Sequence, residues 1–505
     1  MRDVRASWGR RMAAWPPEAV DAVLYGASAA FAGVTAGFST LALYRAWGEI
    51  AVGPYLLATV LSVLLWRRRR AVGQGAAGQD GQGAADGQGA ADGQGAADGG
   101  RGAEPVGGRS TRWPAARIWV LVVVLAGATV LPLSIEVALR GQTNDPSHVQ
   151  PEVVVIEQAG QRVADGRDPY HATANHGHVI SAVPGEPGYE AFFPYFPLMA
   201  VFGLPASSGA PVGLTDARFY FTVVTLLVVL LALALARGPT APKVRVLQFL
   251  TVLPTAALPL ATGGDDLPIV AFLLLAVVLA QRRRPGWSGI VLGVVASMKF
   301  TAWPLAALAL FAARDREGRR APWRMLAGIL VIAVPVVVPF MVPDVRAFVY
   351  NVVLFPLGLA GVPSPAASAL PGHVLVTVLP ALHRVLPVVL VVLGAAVLVR
   401  VLVRHPPATP AQATSLAGWV MLAAILFAPA TRVGYLLYPA DFFVVASMLR
   451  SQDAAQLEPL HMAASRTAAA PAAVLATGGS AAAGRRGVTG RASAAGGSAA
   501  AGGAD

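Results

Sequence analysis

The chain has 505 residues, of which 55% are hydrophobic and only 13% are charged, and its mean hydropathy is +0.59. A soluble domain carries about 25% charged residues, so this composition excludes an ordinary soluble domain and predicts an integral membrane protein. The absence of cysteine excludes disulfides and thiolate metal sites. The formal charge of +12 does not predict nucleic-acid binding, because the arginines cluster beside apolar segments, as cytoplasmic loops of membrane proteins do.

Ten apolar segments approach the roughly 20 residues that a helix needs to cross a bilayer. The first follows a basic N-terminus and resembles a signal peptide, but it is long and lacks a clear cleavage site, so we predict a retained anchor. The sequence therefore predicts an all-α polytopic membrane protein. The ten segments lie at about residues 22–44, 50–66, 118–137, 216–236, 246–262, 267–281, 323–342, 385–403, 412–428 and 433–449.

Composition divides the chain into four parts. Residues 1–70 form an N-terminal transmembrane hairpin. A six-residue repeat, GQGAADGQGAADGQGAAD, has no apolar face to bury and predicts a flexible linker over residues 71–116. Residues 117–450 form the main membrane domain, and the Ala, Gly and Ser runs of residues 451–505 predict a disordered tail.

Topology follows if the arginine clusters are cytoplasmic. The loop 140–192, the pair Asp265 and Asp266, residues 343–372 and the turn 428–433 then all lie on the outer face. Two apolar segments, 193–205 and 287–311, do not fit this alternation as full spans. We predict that each is re-entrant or a pair of short half-helices, which membrane proteins tolerate only where protein or water surrounds the irregular backbone. The second would lift Lys299, at its midpoint, toward the outer face.

The outer loop 140–192 carries a candidate general base. Glu152 opens the segment PEVVVIEQAGQRVA, whose apolar spacing suits a short helix on the membrane surface. A carboxylate just beyond a helix end can reach both water and a lipid headgroup, as a general base must; the alternative is a solvated loop acid. The histidines His171, His176 and His178 follow no standard ligand spacing, so we predict a surface loop and no metal.

Two cations are predicted near the same outer cavity. Lys299 lies inside an apolar run, where an ammonium group is costly and usually functional. Arg432 lies between two helices, and its planar fork suits phosphate, although interfacial snorkelling is an alternative. Lys299 would neutralise an anion within the membrane, most simply the phosphate of a lipid carrier; a salt bridge to Asp265 or Asp266 is the competing account. Those two acids could instead form a solvated turn or hold a sugar hydroxyl or a cation.

Several motifs occur together in a recognisable order. An exterior acid is followed by DGRDPY, FFPYFPL, GGDDLP, GVVASMKFTAWP and APATRVGYLLYP. In this order they resemble the membrane glycosyltransferases of family 87, of the GT-C fold, over about residues 117–450, with the closest likeness to actinobacterial members. The resemblance implies a polyprenol-phosphate-mannose-dependent mannosyltransferase with an acidic catalytic residue in the first outer loop and with neither metal nor other cofactor.

The family pattern can be aligned with individual positions of this sequence. The catalytic Asp of the family corresponds to Glu152, its tyrosine to Ile156, and its Pro-Tyr pair to Pro169 and Tyr170. Because the acid here is Glu, two nearby acids stay as candidate bases, Glu157 and Asp145. The implied reaction inverts the anomeric carbon, with Lys299 and Arg432 holding the donor phosphate while the base takes the acceptor proton. The implied substrate-binding residues are Asp168, Tyr170, Tyr195, Asp265, Asp266, Trp303 and Tyr435.

Two other classes of function stay open. A transporter or flippase would use Lys299, Asp265 and Asp266 as a binding site in broken helices. The span pattern has no internal repeat, and the polar residues gather on one face, which disfavours transport. A non-catalytic membrane scaffold would need neither the lysine nor the loop acid. We therefore expect a multi-pass plasma-membrane enzyme whose active face is extracytoplasmic, with a polyprenyl-phosphate-sugar donor, a lipid or glycan acceptor and no nucleic acid.

Overall fold

The computed structural model describes residues 15–85, 114–143, 146–170, 188–360, 366, 368–383 and 385–455. Contacts divide the chain into Met1–Asp453 and Ala454–Asp505, and nearly all described residues belong to the first unit. Every regular element in the described ranges is a helix, which confirms the all-α class.

The main helices are numbered here in chain order. They are α1 (Pro17–Phe38), α2 (Ala42–Ala85), α3 (Ala115–Thr143), α4 (Pro151–Ala164), α5 (Ala217–Leu235), α6 (Thr240–Thr251), α7 (Pro254–Thr262), α8 (Asp266–Gln281), α9 (Pro285–Ala296), α10 (Trp303–Glu317), α11 (Ala321–Met341), α12 (Val345–Val349), α13 (Pro371–Val378), α14 (Val385–Arg404), α15 (Pro410–Phe427) and α16 (Val433–Ala455). Shorter helical segments lie at Pro146–His148, Gly188–Ala191, Pro197–Ser208, Val212–Thr215, Phe300–Ala302, Tyr350–Leu354 and Pro380–His383.

Nine spans within the described ranges are long and apolar enough to cross a membrane, with α6 and α7 counted as one span. Ten were predicted, and the difference is α8, whose 16 residues are shorter than a full span. The first span also ends earlier than its hydropathy indicates: α1 stops at Phe38, where Ser39 turns to an extended backbone, and α2 begins at Ala42. Hydropathy places the spans, whereas such short breaks depend on backbone conformation.

Prolines start many of the helices. A proline at the first helical position loses nothing, because its missing N–H would have no partner there. Proline is therefore a good local marker of where a helix begins in this chain. The helical segments that begin with proline include those starting at Pro17, Pro151, Pro197, Pro254, Pro285, Pro371 and Pro410.

The segment predicted as two half-helices is interrupted at its lysine. Helix α9 ends at Ala296, and α10 follows only after a short 3₁₀ turn, which leaves Ser297–Lys299 irregular. Two backbone N–H groups, from Phe196 and Leu198, donate to the carbonyls of Met298 and Ser297 at 3.0 Å each. The break in this helix pair is therefore confirmed, and its exposed polar backbone is satisfied within the protein. The other such segment forms one 3₁₀ helix, Pro197–Ser208, not two half-helices.

The N-terminal hairpin packs into the same core as the main domain. Asp21 on α1 pairs with Arg117 on α3, at 2.6 Å between Oδ2 and Nε, and both side chains are buried. Trp47 on α2 donates its indole N–H to the Ala128 carbonyl at 2.9 Å, and Tyr55 donates to the Val252 carbonyl at 2.6 Å. Helices α1 and α2 are thus structurally part of the main domain.

The predicted linker and tail are only partly described. Helix α2 continues past Arg70 to Ala85, so residues 71–85 of the predicted linker are helical. Residues 451–455 extend α16. The rest of the linker before residue 114, and the tail from residue 456 on, lie outside the described residues.

Candidate active site

Lys299 is held between two carboxylates. It lies in the break between α9 and α10, and its Nζ is 3.0 and 3.1 Å from the two oxygens of Asp265 and also contacts Asp266 Oδ1. All three side chains are buried. The two acids can face the lysine because the chain turns at Gly263, whose φ of +120° favours glycine. This group has one formal positive and two formal negative charges.

Tyrosines surround this lysine. Its Nζ lies 5.3 Å from the ring centroid of Tyr195 and 5.8 Å from that of Tyr435, within the range of cation–π attraction. Tyr438 donates its hydroxyl to Asp266 Oδ1 at 2.6 Å and also contacts the Thr301 hydroxyl at 2.6 Å. The charged group therefore has an aromatic wall, formed by Tyr195, Tyr435 and Tyr438.

A second ion pair joins the outer loop to the end of the chain. Arg432, just before α16, contacts Glu152 Oε1 in the first turn of α4. The other carboxylate oxygen, Glu152 Oε2, is buried and has no hydrogen-bond partner within the described part of the chain. The Arg432 side chain is 31% exposed and that of Glu152 19% exposed. One carboxylate oxygen of Glu152 is therefore buried with its hydrogen-bonding capacity unused by the described residues.

The two ion-pair groups influence one another. Tyr435 interacts electrostatically with Lys299, Arg432 and Glu152. Burial raises the pKa of Asp265 to about 6; the ammonium of Lys299 opposes this rise, and the charges of Asp266 and Glu152 add to it. We call Glu152, Lys299, Arg432, Asp265 and Asp266, with Tyr195 and Tyr435, the candidate site.

Asp168 and Tyr170 contribute to the site indirectly, through contacts with the segment that carries Tyr195. The Tyr170 N–H donates to Asp168 Oδ1 at 2.8 Å, which fixes a tight turn. The Tyr170 hydroxyl donates to the backbone carbonyl of Tyr195 at 2.9 Å, and its ring packs against Phe193 and Phe348. Their described contacts therefore position Tyr195.

The other predicted site residues have partners outside the candidate site or lie outside the described residues. Trp303 donates its indole N–H to the Ala296 carbonyl at 3.1 Å, stacks on Phe196 and Phe300, and is 46% exposed. Glu157 pairs with Arg140 at 2.7 Å. Asp145 and the three loop histidines, His171, His176 and His178, lie outside the described residues.

Two polar residues next to Glu152 were not predicted from the sequence to belong to the site. Gln150, immediately before α4, donates through Nε2 to the Tyr44 hydroxyl at 2.7 Å and to the Thr262 hydroxyl at 2.8 Å. Its own N–H donates to the Thr262 carbonyl at 3.1 Å. Tyr44 comes from α2, so the N-terminal hairpin reaches the edge of the candidate site. A lone tyrosine on an apolar helix gives no sequence signal for such a role.

Comparison with known proteins agrees with the resemblance in the sequence. Residues 193–429 match the model described as glycosyltransferase family 87. A search of curated proteins found no match to the chain. The matched range contains Tyr195, both aspartates and Lys299; Glu152 precedes it, and Arg432 follows it by three residues. Residues 193–429 are therefore similar to glycosyltransferase family 87, and the apolar helices around and within this range are those of a multi-pass membrane protein.

Proposed function

We propose that the protein transfers a hexose, in the first place mannose, from a polyprenyl-phosphate donor to an acceptor on the extracytoplasmic side of the plasma membrane. The observation that carries this proposal is that Arg432 contacts Glu152 while Tyr435, three residues after Arg432, has its ring 5.8 Å from Lys299 Nζ, which brings three distant parts of the chain together. Two cations suit a lipid phosphate, and a carboxylate with one oxygen free of hydrogen bonds from the described residues suits a hydroxyl that must lose its proton. The similarity of residues 193–429 to glycosyltransferase family 87 supports this reaction class.

The roles follow from charge and exposure. Arg432 is the more exposed cation, and its guanidinium can donate two hydrogen bonds to a phosphate at once. Lys299 is buried between its two carboxylates, so it acts mainly through its electric field in a site of low dielectric. The phosphate leaves already ionised, so its departure needs cations and no acid. Asp265 and Asp266 supply acceptor oxygens for sugar hydroxyls against the aromatic wall.

Donor binding would also release the base. In the structure Arg432 is bound to Glu152, so a phosphate that takes Arg432 competes with that carboxylate. The freed Glu152 then accepts the proton of the acceptor hydroxyl. The acceptor oxygen forms its bond to the anomeric carbon from the face opposite the phosphate. The carbon–oxygen bond to the phosphate breaks, its electron pair leaves with the phosphate, and the configuration inverts.

The test is sugar transfer from radiolabelled polyprenyl-phosphate-mannose in membranes that contain the protein. We compare the wild type with Glu152→Gln, which keeps the shape and removes the base, and expect a rate lower by about 10²- to 10⁴-fold. The matched control is Asp165→Asn, which removes an exposed carboxylate directly after the same helix and should leave the rate unchanged. Equal rates for wild type and Glu152→Gln would reject Glu152 as the base.

Transport of a lipid-linked sugar is the second candidate, because broken helices with buried charges also form binding sites in transporters. Proteoliposomes that contain labelled donor and no acceptor separate the two functions. A transferase leaves the donor in its original leaflet, whereas a flippase makes it accessible from the other leaflet at a rate that depends on Lys299. Movement in the wild type without transfer in the first assay would favour the flippase.

A further inference from the structure

An open groove lies at the end of α9 that is opposite to Lys299. It has a volume of about 560 Å³ and runs between α9 and α11. Helix α9 has 12 residues, so the arginine end of the groove is about 18 Å from the end of the helix that leads to the lysine, and Ile290 is about 9 Å from it, at 1.5 Å per residue. It is therefore separate from the candidate site. Its lining includes Arg283, Arg284, Trp287, Ile290, Arg324 and Val331.

Close helix contact creates the floor of the groove. Gly289 approaches Met325 and Gly293 approaches Ile329, so α9 and α11 run parallel and in step. In the groove itself, the small lining residues are Gly286, Ala327 and Gly328, and a methyl group added at Gly328 would lie only 2.7 Å from the Gly286 carbonyl oxygen. Glycines at such contacts let two membrane helices approach to backbone distance. No large side chain fills the floor, and the longer side chains stand on either side of it as walls.

The polar end of the groove carries concentrated positive charge. Arg283 and Arg284 come from the turn before α9, and Arg324 comes from the first turn of α11. All three are exposed, and none forms an ion pair within the described ranges. Arg69 on α2, by comparison, pairs with Glu18 at 2.8 Å. Three neighbouring guanidiniums repel one another unless an anion lies between them.

The other end of the groove is apolar. Ile290 and Val331 lie about one to two turns farther along their helices, and Val331 is strongly exposed. Trp287, also strongly exposed, lies between the arginines and these residues, and tryptophan in membrane proteins is enriched at the level of the lipid headgroups. A ligand that fits both ends carries a negative charge on one side and a hydrocarbon chain on the other.

We infer that this groove binds one anionic phospholipid, with its phosphate on Arg283, Arg284 and Arg324 and its acyl chain along Val331. Guanidinium groups bind phosphate through paired hydrogen bonds, and basic clefts between membrane helices bind anionic headgroups in this way. A free phosphate or a nucleotide has no group for the apolar end. The inference does not depend on the proposed transfer reaction.

The experiment measures lipid binding to the full-length protein in neutral detergent. Native mass spectrometry gives the number and affinity of bound dioleoyl-phosphatidylglycerol molecules, with dioleoyl-phosphatidylcholine as the zwitterionic reference. For the wild type we expect one phosphatidylglycerol bound at least tenfold more tightly than phosphatidylcholine. The triple variant Arg283→Ala/Arg284→Ala/Arg324→Ala should lose this preference.

A matched control separates a specific site from general surface charge. The variant Arg67→Ala/Arg68→Ala/Arg319→Ala removes the same charge from arginines that do not line the groove, and it should stay within twofold of the wild type. Equal losses in both triple variants would overturn the inference. Inorganic phosphate that displaced the lipid at equal concentration would also overturn it, because the apolar end would then contribute nothing.

A milder variant keeps the test valid if the triple alanine variant does not fold. Arg283→Gln/Arg284→Gln leaves α11 unchanged and removes two of the three charges. We expect the phosphatidylglycerol preference to fall at least threefold in this variant. An unchanged preference would exclude these two arginines from a lipid site.

Discussion

Two buried charged groups in this molecule use the same residue types in different ways. The candidate site is one. The other, the Arg140 cluster, consists of Arg140, Glu157, Asp216 and Arg218 and joins α3, α4 and α5. In the Arg140 cluster all four carboxylate oxygens accept hydrogen bonds from guanidinium groups, at 2.7 to 3.0 Å. In the candidate site one oxygen of Glu152 has no partner in the described ranges.

The Arg140 cluster is paired as a structural ion-pair network is, whereas the candidate site is not. The Arg140 cluster has two positive and two negative charges, and Glu157 accepts a further bond from the Ala217 N–H at 3.0 Å. Such complete pairing offsets the cost of burying charge but leaves no capacity for a ligand. The candidate site holds three carboxylates and two cations, so its charges do not balance. A ligand with polar groups could complete it.

The largest expected effect comes from Lys299→Met, which we expect to lower transfer at least 100-fold. It also leaves Asp265 and Asp266 buried without their cation, so the free energy of unfolding should fall by about 3 to 5 kcal/mol. The triple variant Lys299→Met/Asp265→Asn/Asp266→Asn also removes the two unpaired negative charges. We expect it to restore thermal stability in detergent and not transfer. If transfer returned as well, Lys299 would be only a counterion of the two acids.

Glu157→Gln tests the Arg140 cluster. The substitution leaves Arg140 with one carboxylate partner, so we expect the free energy of unfolding to fall by roughly 3 kcal/mol. Transfer per folded molecule should stay within about twofold of the wild type, since this cluster does not touch the proposed substrate path. Denaturant unfolding and transfer assays at equal amounts of folded protein measure the two effects. A large loss of transfer at normal stability would make Glu157 the better candidate base.

Arg432→Lys keeps the charge and removes the planar fork. We expect KM for the donor to rise about tenfold, which corresponds to about 1.4 kcal/mol, with a smaller change in kcat. The control is Arg167→Lys, in the exposed turn after α4, which should change neither constant. An unchanged KM in Arg432→Lys would indicate that this side chain does not hold the donor phosphate.

Tyr44→Phe should give the smallest effect. It removes the hydroxyl that Gln150 contacts beside Glu152, and one hydrogen bond contributes about 1 kcal/mol, so we expect the free energy of unfolding to fall by about that amount and transfer per folded molecule to fall roughly fivefold. Tyr55→Phe, on the same helix, loses a bond to the Val252 carbonyl far from Glu152. It should lower stability and leave transfer per folded molecule unchanged. Unchanged transfer in Tyr44→Phe would show that the hairpin has no part in the site.

Sequence alone determined nine of the ten predicted spans, because hydropathy acts locally along the chain. The spans, the helix that begins at Pro151 and the break around Lys299 all follow from residues within one or two turns of each position. The order of short motifs also indicated the family, which the match over residues 193–429 supports.

Only the tertiary structure decided which charges meet. Glu152 and Glu157 lie on one helix, five residues apart, and a helix rotates by about 140° over that distance, so they face different neighbours. Glu152 contacts Arg432, 280 residues away in sequence, while Glu157 contacts Arg140. Tyr44 reaches Gln150 from a hairpin that lies before the matched range. Hydropathy and spacing describe each helix by itself, whereas these partners depend on how the helices pack together.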